Sequence, residues 1–241
     1  MPYNNATMKI ETFIICCNEQ KLIHYIMRHY SAFSQVTILD TGCTDDTVKI
    51  AQSYGARIER VPSDGMNDFH NRNLKNNCWK GSTADWVITV DADEFVVPDL
   101  ELMETTYANI ITTDWYEMYS EVFPTTQGQI YDEVKLCHLG RTKLNVFRPT
   151  LVETNFDTGC HSANPIGNLI YVRGMKTLHF RHLGLEYILD RNRTTQSRMS
   201  RENLERGVSI HFNYTEDKVR EEFNEGLNKA RYETLHQGSC V

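Results

Sequence analysis

The chain has 241 residues, 40% of them hydrophobic and 24% charged, with a net charge of −7 and a pI near 5.7. That length can bury a substantial core, and the acidic balance argues against a nucleic-acid-binding surface as its main business. No apolar run approaches the ~20 residues needed to span a bilayer, and the opening MPYNNATMKIETF lacks the basic and apolar regions of a signal peptide. The seven cysteines (Cys16, Cys17, Cys43, Cys78, Cys137, Cys160 and Cys240) are odd in number and form no CxxC pair. Reduced thiols in the cytoplasm are expected, with no zinc knuckle, so the sequons at Asn5, Asn192 and Asn213 read as chance matches.

Residues 8–17, MKIETFIICC, have the length and β-branched content of a buried strand. Asn18 is expected to open a helix that places Leu22, Ile26, Tyr30 and Phe33 on one face. Strands follow at 35–39 (QVTIL, ending on Asp40) and 56–61 (ARIERV, stopped by Pro62), separated by a short helix closed by Gly55. A polar loop leads into a helix around 69–79, and WVITV at 86–90 makes the fourth strand. Pro98 sits where a helix start prefers it, ahead of DLELMETTYANI. Four strands alternating with helices predict βαβ units and a largely parallel sheet. Over 110–180 the pieces WYEMYSEVF, KLNVFRP, NLIYV and MKTLHF predict a mixed β extension, and 184–201 and 216–235 read as helices. One unit over 1–241 is expected, with a first half at 8–100 and a second at 101–241.

Ligands of open parallel sheets bind beyond the carboxyl ends of the strands. Asn18, Asp40 and the pair Asp91/Asp93 all fall at such ends. An Asp after a strand is commonly a helix cap, but three polar groups directed into one crevice favour a site. In VITVDADEF the mutual repulsion of Asp91, Asp93 and Glu94 calls for positive charge. Hard carboxylate oxygens suit Mg2+ or Mn2+, which keep coordination positions open for phosphate oxygens.

The run CCNEQ…ILDTGCTDDTVKIAQSYGARI…FHNRNLKNNCWKGSTADWVITVDADEF resembles the nucleotide-sugar half of family 2-like glycosyltransferases of the GT-A fold over residues 8–100. The resemblance implies a Rossmann-like, mostly parallel sheet flanked by helices, and a DxD motif at Asp91 and Asp93. It further implies that Asp40 accepts a hydrogen bond from the nucleotide base and that Arg72 contacts base or diphosphate. By the same resemblance, main chain at Cys16 and Cys17 faces the nucleoside, Asp91 serves ribose and metal, Asp93 binds metal, and a late histidine, His179, is a further metal ligand. His182, three residues on, could substitute for it.

The second half carries the acceptor side. Related enzymes show a glycine followed by a His-Glu pair; this chain has His161-Ser162 in DTGCHSANPIG. An inverting transfer needs a base for the acceptor hydroxyl. Asp157 leads, with Glu153 and His161 behind it, and a turn-forming role for Asp157 is the alternative. Arg191, Arg193, Arg198 and Arg201 make the following helix basic; they are either a solvated face or contacts to a phosphate-bearing donor or acceptor. Lys143 and Arg148 invite the same two readings.

The expected activity is metal-dependent transfer of a sugar from a nucleoside diphosphate sugar, UDP first among the nucleotides, to a hydroxyl of a glycan, lipid-linked or protein acceptor. A sugar-phosphate nucleotidyltransferase shares the architecture, but CCNEQK lacks that class's glycine-rich phosphate loop. A non-catalytic sugar-nucleotide or glycan-binding module is the remaining alternative.

Overall fold

In the computed structural model, which describes residues 8–232, the first strand is buried on both faces. Strand β1 (Ile10–Cys16) turns Ile10, Ile14 and Cys16 to one apolar cluster and Phe13 and Ile15 to another, as the two-residue period requires. After it come α1 (Ile23–Tyr30), β2 (Gln35–Asp40), α2 (Thr47–Ser53), β3 (Arg57–Arg60), α3 (Asp68–Asn77) and β4 (Trp86–Asp91). Helices α1 and α2 cover the first cluster through Ile23, Ile26, Met27 and Ala51, while Leu74 at the end of α3, with Trp79 beyond it, covers the second. The parallel block runs β3-β2-β1-β4, the expected alternation.

The expected helix at Asn18 starts later, at Ile23. Asn18 adopts a left-handed conformation, φ 55°, and its side-chain oxygen accepts from the Thr44 amide at 2.7 Å, so it fastens two strand-end loops together. The stretch VITVDADEF carries a second strand that its sequence did not announce. The chain reverses after Asp91 and forms β5 (Glu94–Val97), so the acids occupy a turn between two strands. Asp99 then caps α4 (Leu100–Thr105), its carboxylate accepting from the Leu102 amide at 2.8 Å.

The second half adds β6 (Ile110–Ser120), the short α5 (Ile130–Glu133), β7 (Leu136–Phe147), the small pair β8 (Val152–Glu153) and β9 (Ile166–Gly167), and β10 (Tyr171–Leu183). NLIYV and MKTLHF do not give separate strands: β10 is one strand with a register shift between Arg173 and Met175. The expected 184–201 helix is two, α6 (Leu185–Ser197) and α7 (Arg201–Arg206), the second capped by Ser200. Helix α8 (Glu216–Lys229) ends before Arg231–Tyr232, which pair with β7 as β11. Residues 233–235 of that expected helix, Asn5 and Cys240 lie outside the described residues.

The sheet continues from β4 through β7, β6 and β10 to β5, so strands of both halves share it. Strand β7 is antiparallel to β4 and β6, β10 is parallel to β6, and β5 is antiparallel to β10. The result is an α/β architecture with a parallel block and a mixed extension. Among the described residues no helix is long and apolar enough to cross a membrane.

Candidate active site

A cavity of about 600 Å³ opens beyond the carboxyl ends of β1 and β4, within the range of small-ligand sites. Its floor is the acid turn Asp91–Glu94. One wall is the loop after β1 (Cys17–Lys21), and another is helix α6 with the residue that ends it, which presents Tyr187, Asp190, Arg191, Thr194, Thr195 and Arg198 at helical spacing. His179 and Arg181 enter from β10, and His161 from the loop before β9.

The acids of the floor are matched by cations from elsewhere in the fold. Lys75 of α3, 1% exposed, meets Asp91 at 2.8 Å. Arg191 spans two acids, reaching Asp93 at 2.6 Å and Glu19 at 2.9 Å. Lys143 of β7 meets Glu94 at 2.5 Å with both side chains buried. His179 lies 3.2 Å from Asp93 through Nε2 and 2.7 Å from Glu117 through Nδ1, and the Trp115 indole donates to the other Glu117 oxygen at 2.8 Å.

These contacts set the protonation states. Burial pushes the Asp93 carboxyl up, but Arg191 and His179 outweigh it and hold it well below the ordinary carboxylate range. Burial likewise opposes a charged His179 ring, yet Glu117 and Asp93 raise it to about 10 in the metal-free site, so an ion bound at Nε2 would displace a proton from the ring. Glu117 is lowered to about 2, with His179 overcoming its burial. Burial wins at Glu19, which rises to about 7 despite Arg191. Fixed charges lining a cavity act on a bound ion with little reorganisation.

Among the described residues no three His, Cys, Asp or Glu side chains gather into a complete metal cluster. A partial ligand set is nevertheless present. The Asp91 side chain is 39% exposed in the cavity, and Asp93 faces Nε2 of an imidazole whose other nitrogen is braced by Glu117. A carboxylate behind the histidine is the arrangement that orients metal-bound imidazoles. Mg2+ and Mn2+ commonly take one or two protein carboxylates and complete their shell with phosphate and water. The residues therefore fit a divalent ion that arrives with its phosphate ligand.

The site residues expected from sequence separate into two groups. Cys17, Asp91, Asp93, His161 and His179 line the cavity. Asp40, Arg72 and Asp157 are not among its lining residues. Asp40 is buried and turned into its own loop, one oxygen accepting from the Gly42 and Cys43 amides at 3.0 and 2.7 Å. Arg72 donates to the Thr158 hydroxyl at 3.3 Å, and Asp157 is exposed, accepting from Ser162 at 2.7 Å. Glu153 pairs with Lys80 at 3.2 Å, away from the cavity. His182 stacks on Tyr119 at 4.5 Å and is not a lining residue.

The four arginines after His179 divide in the same way. Arg191 and Arg198 face the cavity, while Arg193 and Arg201 make exposed pairs with Glu216 and Glu205. Arg148 is structural, donating to the Ala108 and Thr106 carbonyls and lying over Trp86. Sequence reading missed Lys75, Glu117 and Arg181. Lys75 had a usable signal: with Asp68 and Asn71 it forms a polar stripe at steps of three and four on the face of α3 that meets the protein.

No protein-family model matches the chain. Over 94 residues, 39% of this chain and 30% of the relative, it is 33% identical to an uncharacterized glycosyltransferase of Rickettsia typhi. A similar protein of Rickettsia conorii is 32% identical over 98 residues, 40% of this chain and 33% of that one. The match thus spans about a third of the length of these curated relatives. Among solved structures, the chain is similar to glucosyl-3-phosphoglycerate synthase from Mycobacterium tuberculosis in complex with Mn2+, UDP and phosphoglyceric acid, with 19% identity, 46% of this chain and 44% of that chain covered, and a TM-score of 0.35.

Proposed function

We propose that the chain is a metal-dependent glycosyltransferase that moves a sugar from a nucleoside diphosphate sugar, with UDP as the nucleotide, to an acceptor hydroxyl. The observation that carries this reading is the acid turn Asp91–Glu94 facing the guanidinium groups of Arg191 and Arg198 across one cavity, at the carboxyl ends of parallel strands. The similarity to glycosyltransferases over part of the chain points the same way.

On this reading the nucleoside lies against Cys17, and the diphosphate lies between the acid turn and α6. Asp93 and His179 would hold the divalent ion, with Asp91 beside them. When bound, the ion supplies positive charge to the departing diphosphate. Arg198 can turn to the diphosphate at small cost. Its guanidinium donates to the Cys17 thiol, its Nε is buried with no partner, and no carboxylate pairs with it among the described residues. Arg191 is committed to Glu19 and Asp93 in the free protein, and a metal at Asp93 would release it toward the phosphates. Proton removal from the acceptor is assigned to His161, because it lines the cavity while Asp157 faces Ser162.

Calorimetric titration of UDP with and without Mn2+ tests the donor site. Tighter UDP binding in Mn2+ is expected, and Asp93→Asn should abolish the enhancement while leaving a folded protein. Slow UDP release from one UDP-sugar separates an enzyme from a binding module. An Asp93→Asn variant that keeps the full Mn2+ effect would remove the basis of the assignment.

A further inference from the structure

Arg181 differs from the other arginines of the cavity. Phe180 before it is fully buried in the core, and Arg181 turns the other way, into the cavity wall with His179. Its guanidinium lies 5.0 Å from the centroid of the Phe212 ring. Among the described residues it makes no hydrogen bond and no ion pair. Asp93, Glu117 and Glu222 lie in its electrostatic range; Asp93 is taken by Arg191 and His179 and Glu117 by His179 and Trp115, while Glu222 is exposed on α8 and does not line the cavity.

A guanidinium stacked on an aromatic face, with its planar fork open to a cavity, is suited to two-point recognition of a carboxylate or phosphate. Its surroundings sharpen the assignment. His161 and His211 line the same cavity within electrostatic range of one another, and His211 within that of Arg181. With Trp115 and Phe212 they all come from the second half of the chain, whereas Cys17, Asn18 and Gln20 come from the first. No acid of this wall is left to neutralise Arg181, so a bound anion would complete its charge balance.

Resting on the glycosyltransferase reading above, we propose that Arg181, stacked on Phe212, forms an acceptor subsite for an anionic group. The accepting hydroxyl would then belong to a molecule that also carries a carboxylate or a phosphate. This role is binding and positioning, and Arg181 takes no part in proton transfer.

The test uses the full chain saturated with UDP and Mn2+, so that the diphosphate position is filled, and titrates it with glycerate, glycerol phosphate and uncharged glycerol. At least one of the two anions should bind and glycerol should not. Whether glycerate or glycerol phosphate binds identifies carboxylate or phosphate as the group recognised. Arg181→Gln should weaken anion binding by about tenfold or more, as expected for a lost charge-assisted contact, and change UDP affinity by less than about twofold. Arg181→Lys should recover part of the loss, and UDP binding by both variants verifies that they fold. Failure of both anions to bind, or equal binding to Arg181→Gln, overturns the proposal. So does an equal loss of UDP affinity in Arg181→Gln, which would assign the guanidinium to the donor. If UDP does not bind the wild-type chain, the donor reading fails, and the same titrations without UDP still decide the anion subsite.

Discussion

Arg191→Met is the most informative single perturbation of the acid floor. The substitution keeps a long apolar stem and removes a guanidinium that meets Asp93 at 2.6 Å and Glu19 at 2.9 Å, with the three side chains 22%, 9% and 13% exposed. Removing one partner from such a buried network costs about 3–5 kcal/mol, because the acids keep their desolvation penalty and lose their counter-ion. His179 still faces Asp93, so the lower end applies, and in a chain of this size the melting temperature should fall by about 10 °C. The variant should then respond to Mn2+ more strongly than wild type, since the guanidinium no longer occupies the Asp93 oxygen that a metal would take. At about a hundred times its dissociation constant the ion should return about 2.7 kcal/mol. Thermal melts of both proteins with and without Mn2+ measure the two effects. A variant that melts within about 2 °C of wild type would show that the acids were never short of charge. A variant with no greater Mn2+ response would show that Arg191 and the ion do not compete.

Two further outcomes follow from the geometry. Gly65 has φ +74° and a Cβ placed there would meet the Arg198 carbonyl, which accepts from the Met66 amide at 2.7 Å. Gly65→Ala should cost about 1–2 kcal/mol for the left-handed conformation alone and, by shifting Arg198, weaken UDP binding. Unchanged melting and affinity in denaturation and titration would refute this. His29 is buried between the Val96 carbonyl, to which its Nε2 donates at 2.8 Å, and Tyr131 at 3.3 Å, and burial lowers it from 6.5 to about 4. Below pH 6.5 the unfolded chain gains a proton that the folded ring refuses. Stability should therefore fall by about 1.4 kcal/mol per pH unit between 6.5 and 4 on this account, and flatten below 4. Urea midpoints of His29→Gln should show a slope smaller by about one proton, and parallel curves for the two proteins would rule the histidine out.

Much of the first half was legible because its signals are local. The apolar run before Cys17, the four-residue spacing of Leu22, Ile26 and Tyr30, and the polar residues ending each strand state both the element and its direction. Strand β5 was not legible, because Phe95–Val97 is only a three-residue apolar run and its pairing partner, β10, begins at Tyr171. Asp40 illustrates a different limit. A carboxylate after a strand has the same sequence signature whether it faces a ligand or caps its own loop, and here one oxygen is held by two amides of the next three residues.

Local signals were enough for the β/α alternation, the parallel block and the position of an acid cluster at the end of the fourth strand, since periodicity and turn chemistry act over a few residues. Which cation meets which acid depends on the folded chain. Arg191 reaches Asp93 across 98 positions and Glu19 across 172, and Lys143 reaches Glu94 across 49. Basic residues on one helix look alike in sequence. Charge pairing in a buried cavity depends on which face packs inward, and that is set by the assembled sheet.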